Sequence, residues 1–244
     1  MFAAGLGTLL LSAVVSTAPF TPDVAAAWPM RAAVRAATTV DNADHVPPLT
    51  GRALIRRVAQ ACGHDQATVA RCERQFLAFV DQLRSQAVPA GNARARAAAV
   101  HAFMHEAILR GTYKAPASDL AVALDGGPYN CASATALLVA LLREFDVAAE
   151  PVSVVGHVWC RIDTQHGRMA IETTCKDWFV LARRRENLTP QQRAQQPAVW
   201  QEHDRRVAQG RGLEETAFVA IFHYNRGVRM LRQGRFIAWI GANV

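Results

Sequence analysis

The run from Cys131 to Leu142, CASATALLVALL, constrains this chain more than any other stretch. Ala134, Leu137, Leu138, Leu141, Leu142 and Phe145 spread apolar side chains around much of a helical circumference, so the helix they form has to be surrounded by other elements. Ahead of it, GGPYN supplies a glycine-rich turn, which puts Cys131 in the first helical turn. Unsatisfied N–H groups and partial positive charge gather at a helix N-terminus, so a thiol placed there ionises more easily and is well set as a nucleophile.

The chain before that helix reads as helical. Leu54, Ile55 and Val58 predict a short helix ending near Gly63. With Asp65 as N-cap, Val69, Cys72, Phe76, Val80 and Leu83 predict an amphipathic helix over 66–86, stopped by Pro89 and Gly91. Asn92 caps a third, with Val100, Phe103, Met104, Ala107 and Ile108 on its core face. His101 and His105 stand at metal-ligand spacing on it, but without the H-E-x-x-H order or a third ligand nearby they read as an exposed polar face. Ser118-Asp119 caps a short helix through Leu124.

From Val147 the period changes. PVSVV, HVWCRI and RMAIETT are short, alternating and β-branched, and predict adjacent antiparallel strands. Pairing the last two across an Asp163–His166 loop sets Ile162 opposite Gly167 and His157 opposite Glu172. Directly paired residues share a sheet face at about 5 Å between Cβ atoms, so Glu172 can orient the His157 ring. With Cys131 on the other ring nitrogen, the three make a nucleophile, a base and an orienting acid. The Cys131 N–H is the natural oxyanion donor; Tyr129 and Asn130 are candidates for a second donor by proximity, and Trp159 for the groove. No metal or organic cofactor is needed.

Asn130-Cys131, Gly156-His157-Val158-Trp159 and Ile171-Glu172-Thr173-Thr174 resemble the transglutaminase-like core of the papain-like superfamily, over residues 112–180. The resemblance implies a central helix packed on a small antiparallel sheet, with Cys131, His157 and Glu172 as nucleophile, base and acid. That family usually carries aspartate where this chain has Glu172. Some of its members have lost activity, so a non-catalytic protein-binding module is the alternative. Asn225-Arg226-Gly227, Gly234 and Phe236 are similar to the first helix of a tetratricopeptide repeat, although Trp239 stands where a small residue belongs.

Taken together, the chain is expected to be α+β: a signal peptide or N-terminal anchor at 1–27, a linker at 28–50, a helical part at 51–111, a transglutaminase-like core at 112–182, a polar Arg/Gln-rich segment at 183–212 and a C-terminal helix within 213–244. In that last helix Ala217, Ile221, Tyr224, Val228 and Leu231 form the stripe, ending at Gln233-Gly234. The uncharged apolar run at 2–17, followed by Val24-Ala25-Ala26-Ala27, resembles a secretory signal and implies a periplasmic or secreted location, with anchoring to a membrane by this segment or a cytoplasmic location as the alternatives. A net charge of +7 raises the question of nucleic acid, but the arginines are scattered without aromatic interleaving, which disfavours it. Five cysteines without C-x-x-C exclude the usual structural zinc site; Cys62 and Cys72 read as small apolar fillers or as a bridged pair. The expected activity is thiol-dependent hydrolysis or acyl transfer at amide bonds of peptides or proteins.

Overall fold

The computed structural model describes residues 48–86, 88–89 and 91–235. The signal or anchor at 1–27, most of the linker at 28–50, and Phe236 and Trp239 of the repeat-like tail lie outside the described residues.

Helix α1 (Gly51–Ala61) starts at Thr50, whose side chain accepts from the Ala53 N–H, and buries Leu54, Ile55 and Val58. Gly63, at φ 89°, turns the chain into Asp65, which caps α2 (Gln66–Arg84) by accepting from the Thr68 N–H. All five positions of the predicted stripe, Val69, Cys72, Phe76, Val80 and Leu83, are buried. Each such side chain contributes roughly 1.5–3 kcal/mol when fully removed from water. Glu73 is buried on the same helix, and Arg52 and Arg56 each reach its Oε1 at 3.0 Å, so its charge is paired.

Helix α3 (Ala93–Phe103), capped by Asn92, runs on into a π-helical turn at Met104–Ile108. Its histidines do not form the exposed polar face expected of them. His101 is 2% exposed and packs its ring edge-on against Phe179, while His105 is half-buried. Ala97, His101, Met104 and Ile108 recur at three- and four-residue steps, so spacing puts His101 on the core face although its polarity suggested otherwise.

Helix α4 (Leu120–Leu124) is capped by Asp119, and α5 (Cys131–Glu144) is the predicted central helix, with Ala132 through Leu142 all buried. It packs on α1 and α3 as well as on the sheet, so the helical part and the core share one interior. At its C-terminal end Arg143 ties it to Glu215 and to the Leu49 and Ala149 carbonyls.

Strands β1 (Ala149–Val154), β2 (His157–Thr164) and β3 (Gly167–Ile171) form an antiparallel meander. The register differs from the expected one by two residues: Thr164 pairs with Gly167, Ile162 with Met169 and Cys160 with Ile171. The hairpin turns on Gln165-His166, neither of them at positive φ, and Gly167 at φ 103° supplies the left-handed residue that lets the chain rejoin the strand. A shift of two keeps every side chain on its predicted face.

The polar segment is more ordered than its composition suggested. Helix α6 (Trp178–Glu186) runs into it from the segment before, and it holds α7 (Pro190–Ala194) and α8 (Ala198–Gln209). Trp178, Trp200 and His203 stack together, with Arg185 over the Trp200 ring at 4.3 Å. A short β4 (Arg211–Gly212) then pairs with β1, giving the order β3-β2-β1-β4.

The last helix, α9 (Glu215–Arg232), ends at Gln233-Gly234 as expected but is turned away from the expected stripe, of which Ala217 is buried. Phe218 and Phe222 point inward, whereas Tyr224 and Leu231 are exposed. Glu215 on Arg143 and Arg229 on Asp119 fix its rotation at both ends. The described residues thus form an α+β structure of helices around a small antiparallel sheet. All five cysteines are free; Cys62 and Cys72 are buried fillers rather than a bridge. Among the described residues no helix is long and apolar enough to cross a membrane.

Candidate active site

Cys131 is the first residue of α5, and Asn130 is the residue that fixes it there. Asn130 Oδ1 accepts from the Ala132 and Ser133 N–H groups at 3.0 and 3.2 Å, and Ser133 Oγ returns the bond by accepting from the Asn130 N–H. Asn130 Nδ2 donates to the Ala115 carbonyl at 2.9 Å. The side chain expected as an oxyanion donor is therefore spent on a capping box, an arrangement that stabilises a helix start by about 1 kcal/mol. The Cys131 N–H itself has no acceptor among the described residues.

His157 opens β2 just after the Val155-Gly156 turn, where Gly156 adopts φ 78°. Its Nε2 lies 2.7 Å from Glu172 Oε2. A carboxylate only accepts, so Nε2 carries the proton, which leaves Nδ1 as the ring nitrogen free for the neighbouring Cys131. Burial disfavours the imidazolium, but the hydrogen bonds to Cys131 and Glu172 and their negative charges outweigh it and raise the His157 pKa to about 10. Glu172 feels the reciprocal effect. Burial opposes its charge, yet His157 and the Thr174 donors hold its pKa below the usual carboxylate value. Its Oε1 accepts from the Thr174 N–H at 3.2 Å and the Thr174 hydroxyl at 2.8 Å.

Glu172 is the first residue after β3, so the observed register projected onward sets it across from Trp159, with His157 on the diagonal. Diagonal neighbours stand about 7–8 Å apart, and the extra methylene of glutamate covers that distance. The length of the glutamate side chain and the two-residue shift in register belong together.

Thr135 was not singled out in the sequence and holds the three segments in place. It lies one helical turn after Cys131, fully buried. Its hydroxyl is 3.4 Å from the Val158 carbonyl and 3.0 Å from Thr173 Oγ1, next door to His157 and Glu172 respectively. Behind Thr173, His105 Nε2 donates to its carbonyl at 3.1 Å, and the His101 ring stacks on His105.

Trp159 is buried, its ring 5.8 Å from that of His157, so it backs the imidazole rather than lining an open groove. Tyr129 is also buried, and its backbone is bridged to the segment ahead of it. That segment brings in the residue sequence reasoning missed. Tyr113, 44% exposed, forms a parallel bridge with Tyr129, two residues before Cys131, and its hydroxyl neighbours the Cys131 thiol. The available signal was Gly111: a Cβ there would lie 2.1 Å from the Gly127 carbonyl oxygen, so only glycine permits this close crossing.

A cleft of about 610 Å³ lies elsewhere, along β3 between Arg94, Met169, Arg185 and His203, and none of Cys131, His157 and Glu172 lines it. Among the described residues no group of three or more His, Cys, Asp or Glu is arranged to hold a metal. Comparison with protein-family models, curated proteins and solved structures found no match.

Proposed function

We propose that this chain is a thiol-dependent hydrolase or acyltransferase acting on amide bonds of peptides or proteins, built on a transglutaminase-like, papain-like core. The carrying observation is the 2.7 Å contact between His157 Nε2 and Glu172 Oε2 beside a helix-start Cys131 that meets the same ring. The raised pKa keeps His157 protonated across neutral pH, so in this reading an imidazolium stands beside the Cys131 sulfur. The thiolate attacks an amide carbonyl, the imidazolium protonates the departing amine, and water or a second amine releases the acyl group. Glu172 holds the ring and compensates its charge throughout.

Alkylation of Cys131 by iodoacetamide, followed by peptide mapping, tests the pair. At pH 6 Cys131 is expected to react at least about 10-fold faster in the native protein than in His157→Ala, because a nearby imidazolium favours the ionised thiol in acid. Equal rates would remove the enzyme reading.

A further inference from the structure

The segment 111–115 is held against the turn that ends in Cys131 by main-chain contacts that do not depend on any substrate. Lys114 N–H donates to the Tyr129 carbonyl at 2.8 Å, Tyr129 N–H to the Thr112 carbonyl at 3.3 Å, and Asn130 Nδ2 to the Ala115 carbonyl. Tyr113 is thereby fixed at the mouth of the site with its ring half-exposed, 6.3 Å and edge-on from that of Tyr129. We propose that the Tyr113 hydroxyl and the Cys131 backbone N–H together form the oxyanion hole, receiving the carbonyl oxygen of the acyl substrate as Cys131 attacks. The inference rests on Cys131 being the nucleophile, as proposed above.

Three observations select Tyr113 for the role. The competing donors are engaged, since Asn130 spends its amide on the helix cap and on Ala115, and the Tyr129 N–H goes to Thr112. The bridge to Tyr129 and the Lys114 N–H on the Tyr129 carbonyl set Tyr113 against the turn that ends in Cys131, with its hydroxyl beside the thiol. An oxyanion is bonded to the carbon that the sulfur attacks, so a donor at the sulfur needs only a small side-chain rotation to meet it. The hydroxyl also keeps its proton: burial first, then the negative charges of Cys131 and Glu172, push its pKa up to about 12.

During the step, a sulfur electron pair forms the C–S bond while the carbonyl π pair moves onto oxygen. Tyr113 and the Cys131 N–H hold that charge without giving up a proton. Collapse re-forms the C=O bond and breaks the bond to the leaving group, which takes its proton from the His157 imidazolium; water or an amine later accepts the acyl group.

Two probes of Cys131 separate this role from others. Acetylation by p-nitrophenyl acetate passes through an oxyanion, whereas iodoacetamide alkylation is a displacement at saturated carbon and does not. Tyr113→Phe in the full chain is expected to slow acetylation about 100-fold, the scale of losing one oxyanion donor, and to change alkylation less than about 3-fold. Acetylation within about 3-fold of the native rate overturns the proposal while leaving the thiol site standing. A similar slowing of both probes overturns it too, because the hydroxyl then acts on the thiolate or the local fold. If native Cys131 is not acetylated faster than a Cys131→Ala control, the nucleophile reading itself fails, and this proposal with it.

Discussion

Glu172 stands just past the end of β3, and its carboxylate crosses to a ring that is not its direct strand partner. Side-chain length is what makes the contact. Shortening by one methylene withdraws the carboxylate by about 1.5 Å, one C–C bond, which turns the 2.7 Å hydrogen bond into no bond. Glu172→Asp is therefore expected to slow acetylation of Cys131 by p-nitrophenyl acetate about 100-fold, the penalty of a small misplacement at a reacting group. The shorter acid would thus be the damaging one here. A Glu172→Asp protein as fast as the native one would show that β3 slides to restore direct pairing.

At the level of elements, the site depends on the meeting of α5, β2 and the loop after β3, and Thr135 is the side chain that touches all three segments. Thr135→Val keeps the shape and removes the hydroxyl, leaving Thr173 Oγ1 buried beside a methyl group. The expected loss is about 1–3 kcal/mol in urea unfolding, with Thr135→Ser recovering most of it. Equal losses in the two variants would mean that packing, not the hydroxyl bridge, sets the stability. Much at this level was legible from the chain. The five-residue stripe of α2, the Asp65, Asn92 and Asp119 caps and the buried α5 are dictated by local spacing. β4 was not, because two residues carry no period.

Across the whole molecule, acid sensitivity is built in behind the site. Burial first, then the neighbouring His105, pushes the His101 pKa down to about 3, so the folded protein refuses a proton that the unfolded chain accepts near 6.5. Between those values the unfolded state binds more protons, so stability falls as pH drops, by up to about 1.4 kcal/mol per unit. From pH 6.5 to 5 that amounts to about 2 kcal/mol. His101→Leu is expected to show a smaller drop in Tm between pH 7.5 and 5 than the native protein. The same drop in both would place His101 in contact with water.

Sequence by itself determined the α+β class, the buried stripes of α1 and α2, and Cys131, His157 and Glu172 as the residues to watch. Helix spacing, cap chemistry and strand alternation act over a few residues and leave a readable local pattern. Tertiary structure alone decided the strand register, the burial of His101, the face that α9 presents and the arrival of Tyr113 at Cys131. Each of those turns on a contact between distant segments, such as the crossing of Gly111 over Gly127, whose energy no local pattern records. The helix-start thiol was legible from the sequence, while the groups around it were brought there by the fold.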